Sequence, residues 1–211
     1  PVYAGLKNDQ NDWTYLEIKD CRAEGGNFIH GGYCTAIFMQ TAQGPNGGDR
    51  QQFGARTTPA GLIHGCIVEN VTGGIAYGAA SSDQVVFRDN IATNCKAAFN
   101  FDTGEAQKLR IVRNQFLNCN QGIRFLPYPN SKDVEISRNV ITLTEPYFNS
   151  ILGDFEPWYG VSVNRGHISG LKVADNYIAT VGSKPRRPHG IFGGGEGGNV
   201  LIGTRDDNYA V

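Results

Sequence analysis

Apolar and polar positions alternate over short stretches of this chain, and the stretches recur. Five of them align on an asparagine: Cys66-Ile67-Val68-Glu69-Asn70, Val86-Phe87-Arg88-Asp89-Asn90, Arg110-Ile111-Val112-Arg113-Asn114, Glu135-Ile136-Ser137-Arg138-Asn139 and Lys172-Val173-Ala174-Asp175-Asn176. Three residues before each asparagine stands Ile67, Phe87, Ile111, Ile136 or Val173; five before stands Gly65, Val85, Leu109, Val134 or Leu171. A period of two predicts strands with one buried face. Each unit runs on to a second strand, usually opened by glycine: Gly74-Ile75-Ala76-Tyr77, Ala98-Phe99-Asn100-Phe101, Gly122-Ile123-Arg124-Phe125, Gly160-Val161-Ser162-Val163 and Gly190-Ile191-Phe192. The asparagines are 20, 24, 25 and 37 residues apart, a constant strand core with unequal loops inserted at fixed corners. Leu16 to Asp20 reads as an earlier unit with Cys21 in the asparagine place, and Val200-Leu201-Ile202 as the start of a later one.

A unit of about 20–25 residues cannot bury its own apolar face, so the units must stack and share a core. The pattern therefore predicts an all-β solenoid whose parallel strands lie about 4.8 Å apart. Asparagine suits its corner because it hydrogen-bonds turn backbone and tolerates left-handed conformations. Asn94 and Asn118 mark a second corner, where Cys95 and Cys119 stack in adjacent coils with a geometry open to a disulfide. The chain is read as one domain, residues 1–211.

Composition narrows the classes. Glycine is abundant at 28 residues, as many tight turns require. A net charge of −1 leaves no overall basic balance for nucleic acid. No apolar run approaches the roughly 18 residues of a membrane span. The five cysteines, Cys21, Cys34, Cys66, Cys95 and Cys119, show no CxxC spacing and read as small buried apolar residues. The chain starts at Pro1 without a signal-peptide pattern, so a fragment or trimmed form of a longer chain is expected. No capping helix is visible, and flanking domains or subunits are expected to cover the solenoid's ends.

The I-x-x-N…x-G-I-x-(V/F) unit, over roughly residues 14–203, resembles that of the pectate-lyase-like parallel β-helix superfamily. That superfamily includes polysaccharide lyases, glycoside hydrolases, uronate epimerases and phage tailspikes. The resemblance implies a single-stranded right-handed parallel β-helix of about 6–7 coils. It places the glycine-opened strand first in each coil, the asparagine corner between the second and third strands, and substrate along the first sheet. It further implies a polysaccharide partner and an extracellular, secreted or virion-associated setting. No cofactor is identifiable from the residues, and Ca²⁺ enters by family analogy alone. The sequence also departs from family patterns. Its one Asp-Asp pair, Asp206-Asp207, lies outside the aligned columns; Gly166-His167 is followed by Ile168 rather than glycine; no Asp-Pro-His or Ca²⁺-binding aspartate cluster is present. No subfamily is assigned.

Candidate chemistry follows from the columns. Ile75, Phe99, Ile123, Val161 and Ile191 are expected inside. One outward column is Phe38, Ala76, Asn100, Arg124, Ser162 and Phe192; the next is Gln40, Gly78, Asp102, Leu126, Asn164 and Gly194. Asp102 beside Arg124 reads either as a surface ion pair worth about 0–1 kcal/mol or as a carboxylate and guanidinium facing a sugar. The insertion from Glu145 to Tyr159 carries Tyr147, Phe148, Phe155, Trp158 and Tyr159, rings that either pack the loop or face sugars. It also carries Asp154 and Glu156. The loop from Ser183 to His189 adds Lys184, Arg186 and Arg187, either a solvated loop or a clamp for an anionic sugar. A third insertion, Thr41 to Gly61, has no readable role. A hydrolase needs two carboxylates about 5–9.5 Å apart, and Asp102 with Asp154 or Glu156 is the best available pair. A lyase needs a base and a cation: Arg124 with His189 or Arg187, His189 being the easier base because guanidinium resists deprotonation. His167 is a further lone histidine. Asn100, Asn164, Trp158, Tyr159, Arg186 and Arg187 are the expected substrate contacts. Two expectations compete: an enzyme, lyase or hydrolase, acting on an acidic polysaccharide, and a non-catalytic carbohydrate-binding or adhesive segment of a tailspike or surface fibre.

Overall fold

The computed structural model describes residues 2–5, 15–25, 35–40, 60–80, 82–101, 104–126, 131–145, 148–149, 154–155, 159–164, 168–181, 189–194 and 200–202. Among them there are strands and turns and no helix. Two sheets of seven strands, one of six and one of four are each parallel throughout. The chain visits them in a fixed order. Ile75–Ala79 lies in the first sheet, Ser82–Asp83 in a short corner sheet, Val85–Arg88 in the second sheet and Ile91–Thr93 in the third. The next pass repeats this with Ala97–Phe101, Ala106–Gln107, Arg110–Val112 and Gln115–Cys119. Equivalent strands pair in register, so that Ile111 lies between Phe87 and Ile136. This is the all-β, stacked architecture of a parallel β-helix.

The inward residues of the three larger sheets make one core. Ile63, Phe87, Ile111, Ile136 and Val173 enter it from the second sheet, Val68, Ala92, Phe116 and Ile141 from the third, and Tyr77, Phe99, Ile123 and Val161 from the first. Each large side chain buried this way stabilises the fold by about 1.5–3 kcal/mol. Phe87 meets Phe99 edge-on at 4.9 Å across the interior, and Phe101 and Phe125 lie 4.9 Å apart on neighbouring strands.

The corner between the second and third sheets carries a hydrogen-bond ladder. Its column runs Cys21, Cys66, Asn90, Asn114, Asn139, Asn176. Asn114 Oδ1 accepts from Asn90 N at 3.1 Å and from Asn90 Nδ2 at 3.0 Å, while Asn114 Nδ2 donates to Phe87 O at 3.1 Å and to Asn139 Oδ1 at 3.0 Å. Asn90 and Asn139 repeat the pattern, and Asn176 donates back to Ile136 O at 2.9 Å. Asn70 does not belong to this column, contrary to the sequence alignment. Cys66 precedes Asn90 by 24 residues, the interval from Asn90 to Asn114, and fills the place instead. Its thiol reaches Ile18 O at 3.8 Å, where an asparagine amide would donate. Asn70 joins Asn94 and Asn118 at the next corner, and all three are left-handed, with φ of 59°, 55° and 54°. At the ladder corner the left-handed residue is instead the one before the column: Asp20, Gly65, Asp89, Arg113, Arg138 and Asp175.

Cys95 and Cys119 do stack, but as free thiols; Cys21 and Cys66 are also free. The hydrogen bond between Cys119 and Cys95, with burial behind it, holds the Cys119 pKa well above its ordinary value; the same bond lowers that of Cys95 against the opposing effect of burial.

Outside the same corner, Arg113 forks onto Asp89, Nε to Oδ1 and Nη2 to Oδ2 both at 2.9 Å, while Arg88 reaches Oδ2 at 2.7 Å. The Arg113 bonds, helped by Arg88, lower the Asp89 pKa from 3.8 to about 2. A folded-state pKa below the unfolded value adds stability above the unfolded pKa and loses it as pH falls through the folded one. The group is well exposed, so the gain is at most about 1 kcal/mol. Replacing Asp89 by Asn, which also tolerates φ > 0, is expected to flatten the fall in unfolding free energy between pH 4 and about pH 2. An unchanged slope in denaturant titrations at the two pH values would show the pair contributes nothing. Asn114→Ala strips partners from Asn90, Phe87 and Asn139 at once. At about 1–3 kcal/mol per orphaned buried group, a loss of about 3 kcal/mol or more is expected in denaturant unfolding.

Candidate functional site

The first sheet holds the residues that sequence reasoning singled out. Its strands include Thr35–Gln40, Ile75–Ala79, Ala97–Phe101, Gln121–Phe125, Tyr159–Asn164 and His189–Gly194. The observed outward row is Phe38, Gly78, Asn100, Arg124 and Ser162, and Phe192 is the register partner of Ser162. Gly78 takes the position expected of Ala76, and Tyr77 rather than Ile75 aligns with Phe99. The cause is a longer turn. Lys96 N donates to Val71 O and Ala97 pairs with Ile75, so this pass carries Thr72, Gly73 and Gly74 where the next has Lys96 alone. Two extra residues shift the register and preserve the in–out alternation.

This outer face is not an open polar surface. Ala76, Ala98, Asn100 and Ser162 are buried, and Phe38 and Arg124 are half-buried. Asn100 is 6 % exposed, and its Oδ1 is buried without a hydrogen-bond partner. An orphaned buried acceptor costs about 1–3 kcal/mol. Arg124 and Ser162 both have partners. Beside Asn100, a Cβ at Gly78 would stand 2.9 Å from Thr35 Cγ2, 3.2 Å from Phe38 Cδ2 and 3.3 Å from the Asn100 carbonyl oxygen. The space that a side chain at position 78 would need is thus already filled by Thr35 and Phe38.

The remaining expected site residues divide. Asn100 and Arg124 are register partners in the row. Asn164 ends the strand Tyr159–Asn164 and His189 begins His189–Gly194, with Tyr159 opposite His189. Tyr159 is buried, and its hydroxyl donates to Gln121 Oε1 at 3.3 Å, so it packs the strand rather than capping a loop. Asp154 pairs with Asn149 in a two-stranded antiparallel hairpin within the insertion. Asp102, Glu156, Trp158, Arg186 and Arg187, like His167, lie outside the described residues, as do most of the insertions at 41–61 and 183–189.

Two carboxylates escaped sequence reasoning. Asp83 and Glu105 are buried on successive passes, just beyond the first-sheet strands, and both are partnered. Ser82 N donates to Glu105 O at 2.9 Å across those passes. Strands of two residues, such as Ser82–Asp83 and Ala106–Gln107, have no readable period, so nothing in the pattern marked this corner as built structure. Among the described residues no group of three or more His, Cys, Asp or Glu is placed to hold a metal ion.

What the described row can do chemically is hydrogen-bond and pair charge: an amide acceptor, a guanidinium and a hydroxyl at successive strands. No family model matches the chain, and no curated protein or solved structure does either.

The site's frame rests on one close approach. A Cβ at Gly122 would stand 2.0 Å from Gly160 O and 3.0 Å from Ile141 Cγ2. The glycine that opens this strand is needed for space. Overpacking typically costs about 1–3 kcal/mol, and here the obstacle is backbone. Gly122→Ala is expected to lower stability by at least about 2 kcal/mol in thermal or denaturant unfolding, and a neutral result would show that the strands are not this close.

Proposed function

We propose that the chain is a right-handed, single-stranded parallel β-helix of about 6–7 coils that binds a polysaccharide along the outer face of its first sheet. The likeness to the pectate-lyase-like superfamily supports that reading of the fold, as does the fixed order of its parallel sheets. The observation that carries the functional reading is the in-register row Asn100, Arg124, Ser162, three polar side chains one strand apart on a single face. Of the three, Arg124 is half-buried and is the group an extended polymer crossing the strands meets first, while Asn100 and Ser162 are buried. Arg124 suits a uronate carboxylate or a sugar hydroxyl, which favours an acidic polysaccharide. The hairpin at Phe148–Asn149 and Asp154–Phe155 directly precedes the Tyr159–Asn164 strand of this sheet. We assign the bound polymer to cleavage, by hydrolysis with Asp102 paired to Asp154 or Glu156, or by elimination with His189 as base and Arg124 or Arg187 as cation. An extracellular or virion-associated setting fits either.

A second reading, a non-catalytic binding or adhesive segment of a surface fibre, is favoured by the row itself, which holds no carboxylate or histidine between Phe38 and Ser162. Incubation with neutral and acidic polysaccharides separates them. New reducing ends without ultraviolet absorbance indicate hydrolysis, and both together indicate a lyase. Binding without either sinks the enzyme assignment for those polymers, and absence of binding to every polymer sinks the carbohydrate reading. If cleavage occurs by hydrolysis, Asp102→Asn is expected to reduce kcat by at least about 100-fold.

A further inference from the structure

The corner column that carries the asparagine ladder begins with two cysteines, Cys21 and Cys66. Lys19 pairs with His64 and Arg22 with Ile67, and Ile67 N donates to Cys21 O at 2.8 Å, so the cysteines hold the same position on neighbouring strands. Both are free thiols and both lean the same way: Cys21 Sγ donates to Lys19 O at 3.4 Å, and Cys66 Sγ to His64 O at 3.4 Å. The two side chains are also hydrogen-bonded to each other. Neighbouring parallel strands lie about 4.8 Å apart, within the Cα separation of about 4.4–6.8 Å that a disulfide spans. Access differs between them. Cys21 is half-buried, whereas Cys66 is fully buried and burial pushes its thiol pKa up. The ladder is also weakest here. The Cys66 thiol reaches Ile18 O at 3.8 Å, where the amides of Asn90, Asn114 and Asn139 make their equivalent bonds at 3.0, 3.1 and 2.9 Å, and a thiol is a weak donor.

We propose that Cys21 and Cys66 form a thiol–disulfide exchange site for low-molecular-weight disulfides, with Cys21 as the attacking sulfur and Cys66 as the resolving one. Cys21 gives its proton to solvent and attacks one sulfur of the small disulfide. A bond forms from Cys21 Sγ to that sulfur, the reagent's own S–S bond breaks, and one small thiolate leaves. Cys66 then attacks Cys21 Sγ, its proton passes to the departing small thiolate, and the mixed disulfide breaks. The two protein thiols are oxidised by two electrons to one cross-coil disulfide, and the reagent is reduced to two thiols. The product joins cysteines 45 residues apart in the chain and puts a covalent bond where the ladder has its poorest hydrogen bond. Excess small thiol reverses it. The exchange is independent of any polysaccharide. Cys95 and Cys119, a stacked pair one corner further on, are 1 % and 0 % exposed, so neither sulfur meets the reagent while the chain is folded.

The test uses the chain with Cys34→Ser, because Cys34 lies outside the described residues and the four placed cysteines then remain alone. The folded protein is incubated with oxidised glutathione and read by mass spectrometry, intact and after digestion. The expected result is a loss of two hydrogens and a peptide linking Cys21 to Cys66, with Cys95 and Cys119 still free for a thiol reagent after unfolding. Adding Cys66→Asn, which puts the ladder's own residue in the column and so keeps the corner, is expected to leave one glutathione retained on Cys21. Adding Cys21→Ser is expected to abolish uptake. The linked chain is expected to unfold at a midpoint about 5 °C or more above the reduced one, a gain that excess reduced glutathione removes. No reaction at Cys21 in the folded chain overturns the proposal. So does glutathione that stays on Cys21 while Cys66 is present, a link confined to Cys95 and Cys119, or a linked chain whose midpoint does not rise.

Discussion

Everything in this molecule depends on one repeated hydrogen-bonding problem and its solution at the corner between the second and third sheets. A stacked parallel fold satisfies its backbone where strands lie flat, but each turn interrupts the ladder. Asparagine solves this because its short side chain carries a donor and an acceptor. Its oxygen takes the N–H of the corner residue one pass earlier, and its amide nitrogen returns a bond to that pass's strand. Five groups per pair of passes are thereby brought together in a buried space, and register is fixed to the residue. The apolar columns that fill the interior are aligned as a result.

That solution made the fold legible. The recurring asparagine and the apolar residue three before it fix the second sheet at Phe87, Ile111, Ile136 and Val173, whereas Ile67 opens a third-sheet strand and Ile63 takes the second-sheet place. The errors came where a corner changed its chemistry. Cys66 stands in the asparagine column, so Asn70, four residues later and one corner further on, drew the alignment to itself. The glycine that opens most first-sheet strands misplaced Ala76 and Gly78 because the Val71 to Gly74 turn is two residues longer than its neighbour. Pattern records alternation, and an offset of two leaves alternation untouched.

The candidate site was legible as a row and not as an environment. Asn100, Arg124 and Ser162 were expected on one face, and register places them there. Their burial could not be read, because outward positions of an exposed and of a covered sheet have the same sequence signature. Asp83 and Glu105 were missed for a related reason: a two-residue strand has no periodicity, and a buried acid is recognised only from what surrounds it. The same residue type now serves two ends. At the corner asparagine is fully bonded and holds the stack; on the first sheet Asn100 keeps a buried oxygen without a partner.

The corner bonds also have a direction along the chain. Asn90 reaches back to Cys66 and Ile63, Asn114 to Asn90 and Phe87, Asn139 to Asn114 and Ile111. Each pass is therefore clasped by the one that follows it, 24 to 25 residues later over this stretch. For a polypeptide made from its N-terminus, no pass can be fastened when it is first complete. It waits for the next to emerge, so order advances along the nascent chain as a ratchet that always runs one turn behind synthesis.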